Sequence, residues 1–134
     1  MKNYQELEGL VIEWGRKKGI LQNGTPTAQC LKTIEEVNEL ELAIENNDRD
    51  EIEDALGDIL VTIIIQAEMQ GLSLESCLES AYNVISKRTG KMENGQFVKD
   101  VYDEEKSDER MKAIGQNGNE GIHYLTEMAQ NLIK

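Results

Sequence analysis

Two groups of carboxylates lie close together in the chain: Glu35, Glu36 and Glu39, then Glu51, Asp54 and Asp58. At about 100° per helical residue, Glu39 falls about 40° and Glu36 about 100° round from Glu35, so all three share one side. The second group recurs at i, i+3 and i+7, and its stripe continues into Val61 and Ile65. These acids therefore occupy a face that turns into core. Like charges one turn apart cost about 0.2–0.5 kcal/mol per pair even in water, and more once desolvated. A hard divalent cation relieves that repulsion. Mg²⁺ suits a few carboxylates together with waters and substrate phosphates, and Mn²⁺ is an expected substitute. The plainer alternative is a solvated acidic face, which is common in a chain with 26 acidic residues.

Other chemistries lack their residues. The sequence has no G-x-x-x-x-G-K-[ST] loop and no G-x-G-x-x-G after a strand. One histidine, His123, cannot build a multi-histidine zinc site. Starting a calcium loop at Asp48 puts Glu53 at its sixth position and Ile59 at its twelfth, where glycine and glutamate are needed. Carboxylates with a bound cation are left, and they suit attack of water on a phosphoryl group.

Helices must position these groups. The spacing of Leu7, Leu10, Val11 and Trp14 predicts a first helix over Asn3 to Lys18, ended by Gly19. Trp14 is read as a core residue, with stacking on a base as the alternative. Asn23-Gly24-Thr25-Pro26-Thr27 reads as a turn, with Thr25 or Thr27 capping a second helix that runs to Glu45. Asp48 or Asp50 caps a third, which stops at Gly71. Ser73 caps a fourth, with Leu74, Leu78, Ala81, Tyr82 and Ile85 expected inward and Asn83, Lys87 and Arg88 on its C-terminal half. Those three read either as polar and cationic groups near a helix end or as an amide and cations that reach phosphate oxygens. Asn94-Gly95 is a hairpin tip in a short extended arm. Asp103 to Asn119 reads as a loose helix or linker, and Ile122 to Ile133 has helical spacing.

One proline and 4% aromatic residues in 134 favour one all-α domain. The net charge of −12 speaks against a nucleic-acid partner. Cys30 and Cys77, without C-x-x-C spacing, read as buried free thiols. The start of the chain has no apolar core, and Ile59 to Ile65 is too short to span a bilayer. A cytoplasmic protein with no membrane partner is expected.

Glu35-Glu36-x-x-Glu39, then Gly57-Asp58-Ile59-Leu60, Tyr82-Asn83, Lys87-Arg88 and Gly90-Lys91-Met92 together resemble the MazG-like all-α nucleoside triphosphate pyrophosphohydrolases. The likeness covers about residues 10 to 100. It implies a four-helix core forming a homodimer or homotetramer, with Mg²⁺ between the second and third helices. It also implies cleavage of a nucleoside triphosphate between the α- and β-phosphates. Glu35 or Glu36, with Glu39 and Asp58, would be ligands, and one of the glutamates a general base. Asn83, Lys87 and Arg88 would meet phosphates. One position departs: the acid expected three residues before Asp58 is Ala55, so Glu51 or Asp54 would have to supply the missing ligand. Residues 1–100 are then the pyrophosphohydrolase domain, and 101–134 a C-terminal extension with a helix that packs on the core or on a partner subunit. The rival readings are a non-catalytic acidic module for protein interaction and a catalytically impaired homologue.

Overall fold

A computed structural model describes residues 1–100. The expected C-terminal helix, His123 and the stretch from Asp103 to Asn119 lie outside the described residues. The described residues are all-α apart from one hairpin: α1 (Tyr4–Lys17), α2 (Ile20–Asn23), α3 (Pro26–Glu45), α4 (Arg49–Met69), α5 (Leu74–Ile85), then β1 (Gly90–Glu93) and β2 (Gln96–Lys99).

The long helices begin on side-chain caps. Asn3, Thr25, Asp48 and Ser73 each accept a bond from the backbone N–H three residues on, satisfying donors that have no helical partner. α3 and α4 also end alike. Asp48 N donates to Ala43 O and Asn47 N to Ile44 O, while Leu72 N donates to Ala67 O and Gly71 N to Glu68 O. Both are Schellman ends, and Asn47 (φ +49°) and Gly71 (φ +68°) take the left-handed position that the motif requires.

The tight end of α3 folds α4 back along it, and this pair makes the most extensive packing among the described residues. The core is small: Ala43, Ala55, Thr62, Ile64, Ile65 and Ala67. Thr62 spends its hydroxyl on Ile59 O (2.7 Å) and receives one from Thr33 Oγ1 (2.9 Å). α1 crosses α4 at Gly15, where a Cβ would stand 2.5 Å from Ile65 Cδ1. α2 is a single turn that sequence periodicity did not predict, four residues being too few to show a period. Gln66 Nε2 donates to Pro26 O (2.8 Å), holding the entry to α3 against α4.

α5 corrects two expectations. It turns away from α4 by 103° and buries none of its residues. Leu78, Tyr82 and Ile85, expected inward, are exposed, as are Leu56 and Leu60 on α4. Periodicity finds an apolar face but not what covers it. The helix also stops at Ile85, because Lys87 N and Arg88 N close three-residue turns on Val84 O and Ile85 O. Lys87 and Arg88 therefore lie past the helix. The hairpin is antiparallel, with Glu93 opposite Gln96 and Asn94-Gly95 at its tip, both at positive φ. Cys77 is exposed and Cys30 half-buried, so neither is the buried thiol expected. Among the described residues no single helix is long and apolar enough to cross a membrane.

Ile65 is 1% exposed, and its Cδ1 would have to shift to admit a Cβ at Gly15. Gly15→Ala should therefore lower stability by about 1–2 kcal/mol despite alanine's better helix propensity, read as a lower urea midpoint at unchanged slope.

Candidate metal centre and its adjoining cavity

Antiparallel packing of α3 on α4 brings the two acidic groups together, but not all of their members. Carboxylate oxygens of Glu36, Glu39 and Asp58 lie within 4.8 Å of one another. Glu36 and Asp58 are half-buried and Glu39 is exposed. One oxygen of Glu36, Oε2, is buried and has no hydrogen-bond partner among the described residues. Folded proteins rarely leave such an atom unsatisfied.

The electrostatics follow from that geometry. Burial, then a hydrogen bond with Glu39, then the charges of Glu39, Asp58 and Glu35 push the Glu36 carboxyl from 4.5 up to about 7. Burial and the charges of Asp54 and Glu39 raise Asp58 as well. Three oxygen donors that repel one another, one with an orphaned atom, fit a hard divalent cation and not a soft one. Here Glu36, Glu39 and Asp58 would hold it.

The other predicted acids stand apart from this group. Glu35 pairs with Lys32 at 3.2 Å. Asp54 is exposed one turn before Asp58 and acts on it through charge. Glu51 lies in the first turn of α4, where the helix dipole favours an acid. Ala55, at the departing position, is buried. Asn83 and Lys87 are exposed and Arg88 half-buried, all three away from the acids on or beyond α5.

A cavity of about 370 Å³ adjoins the acids, with Glu36 and Asp58 in its wall. Trp14, Ile20, Val61 and Ile65 give it apolar sides, and Gln29 and Lys32 give it polar ones. Trp14, read from sequence chiefly as core, is 46% exposed and lines this space. Gln29 and Lys32 went unnoticed in the sequence, although a signal existed: Gln29, Lys32 and Glu36 recur at i, i+3 and i+7, one stripe of α3.

The MazG nucleotide pyrophosphohydrolase domain matches residues 24–92. This chain belongs to the MazG family. The matched stretch holds all three clustered acids, whereas Trp14 and Ile20 come from outside it. An uncharacterised 18.2 kDa protein from the rep-hol intergenic region of Haemophilus phage HP1 (strain HP1c1) is 30% identical over 79 residues. That alignment covers 59% of this chain and 47% of the phage protein, so the chain spans about half the length of this relative. No solved structure matches.

The raised Glu36 carboxyl has a consequence for stability. Folding binds a proton there between pH 4.5 and about 7, so its stabilisation is complete below 4.5 and lost as pH rises to about 7. Glu36→Gln, neutral throughout, should therefore gain in Tm over the cation-free wild type as pH climbs through that window. Saturating Mg²⁺ should narrow the gap.

Proposed function

We propose that this MazG protein hydrolyses nucleoside triphosphates between the α- and β-phosphates, giving a nucleoside monophosphate and pyrophosphate, with Mg²⁺ as cofactor and Mn²⁺ able to replace it. Its role is then house-cleaning of the cytoplasmic nucleotide pool. The observation that carries this reading is the buried, unpartnered Glu36 Oε2 within a three-carboxylate group on the wall of a nucleoside-sized cavity.

The roles divide along the α3–α4 groove. Glu36, Glu39 and Asp58 hold the cation, which when bound neutralises phosphate charge and polarises the phosphoryl group. In a chain of net charge −12 that neutralisation is needed for a polyanion to approach at all. Glu35 stands outside the cluster and is steadied by Lys32, so it can accept the proton of the attacking water. Lys32 lines the same cavity one turn before Glu36 and offers its ammonium to the phosphates. Trp14 gives the base a surface on which to stack.

Asn83, Lys87 and Arg88 reach phosphates in this scheme from a second copy of the chain. A homodimer or homotetramer would cover the exposed apolar faces of α4 and α5 and carry those groups to a neighbour's acids. The catalytically impaired homologue keeps one supporting observation, the buried Ala55 where an acid is expected. A panel of nucleoside triphosphates with Mg²⁺, resolved by chromatography, separates these readings.

Glu39→Gln and Asp58→Asn should each lower pyrophosphate release by more than about 100-fold with the far-UV circular dichroism unchanged; full activity in both would remove the site. Mg²⁺ with a nucleotide should raise Tm, whereas a non-catalytic interaction module would show no such rise.

A further inference from the structure

The cavity's size does not choose among bases. At about 370 Å³ it falls within the range of small-molecule sites and admits a purine or a pyrimidine. Trp14 does not choose either, because every base has a π-face to stack. Discrimination therefore rests on hydrogen bonds, and most polar groups in the wall are already committed. Thr25 Oγ1 accepts from Ala28 N as the cap of α3, and its one remaining hydrogen rotates to suit any partner, so it fixes no pattern. The Thr62 hydroxyl donates to Ile59 O. Lys32 pairs with Glu35, and Glu36 and Asp58 belong to the acid cluster.

Gln29 differs. Its Nε2 donates to the backbone carbonyl of Thr62 at 3.1 Å. A carbonyl can only accept, so the nitrogen must face α4, which fixes the orientation of the amide. The anchor is backbone and sits in the core turn around Thr62, so it is held rigidly. Among the described residues nothing bonds to Gln29 Oε1, and one amide N–H is also unspent. Gln29 lies two helical turns, about 10 Å, along α3 from Glu36, the span of a nucleoside between its phosphate and the far edge of its base.

We propose that Gln29 is the base-reading residue of this site, presenting a fixed acceptor and donor to the hydrogen-bonding edge of the nucleobase while the phosphates lie at Glu36, Glu39 and Asp58. This rests on the hydrolase reading given above. It places specificity in α3, on the same stripe as the metal ligands, and leaves Trp14 and the apolar wall to supply affinity without choice.

The test compares wild type with Gln29→Met, which keeps length and loses hydrogen bonding, using ribonucleoside and deoxyribonucleoside triphosphates plus base-free ribose 5-triphosphate, all with Mg²⁺. For the nucleotide that wild type prefers, KM should rise about ten-fold in the variant with kcat within about two-fold. The ranking of bases should flatten, and KM for ribose 5-triphosphate should not move. An unchanged ranking and KM in an active variant overturns the role of Gln29 and leaves the hydrolase standing. An equal loss on every substrate, the base-free one included, marks a purely structural residue and also overturns it. No pyrophosphate from any nucleotide with wild type removes both readings together. Gln29→Asn, which keeps the amide but draws it back by one methylene, should flatten the ranking in the same way and serves should the methionine variant not fold.

Discussion

The packing of α3 against α4 sets nearly everything else in this protein. Those two helices hold most of the small core, and along the same contact they place three carboxylates that repel one another. Apolar burial at Ile64 and Ile65 holds the helices together, and the charge repulsion at Glu36 and Asp58 opposes it a few turns away. A sequence under selection for stability alone has no reason to retain an unsatisfied carboxylate oxygen in that contact. The repulsion is better understood as stored attraction for a cation, in the way that functional sites commonly accept local destabilisation.

The remaining elements dress this pair. α1 reaches α4 closely because Gly15 has no side chain, and that approach sets Trp14 at the edge of the cavity. The turn of α2 and the bond from Gln66 to Pro26 O fix the entry to α3, so the cavity floor is built before the acids begin. Gln29 and Thr33 each donate from α3 to Thr62 on α4, the amide to its carbonyl and the hydroxyl to its hydroxyl, so polar bonds tie the two helices together here. Cross-helix bonds of this kind hold the groove's wall in one arrangement.

Much of this was legible in the residues because the signals are local. The caps at Thr25, Asp48 and Ser73 and the hairpin tip at Asn94-Gly95 depend on neighbours a few positions away. Glu36, Glu39 and Asp58 could be picked out, but nothing in the spacing separated them from Glu35, Asp54 and Glu51. That separation depends on how α3 and α4 are rotated against one another, and on Lys32 claiming Glu35. Spacing could place Gln29 on the stripe of Glu36 but could not give it a role, since that depends on the carbonyl across the groove that fixes its amide. α5 differs: its apolar period was read correctly as a face, but among the described residues that face is left exposed.

Trp14 has one more consequence. It is the chain's single tryptophan, half in solvent and half against the cavity wall. Indole emission shifts with the polarity of its surroundings, so the molecule carries its own label at the mouth of the groove. Occupancy there can be followed by fluorescence on the unmodified chain, even in variants that no longer turn over.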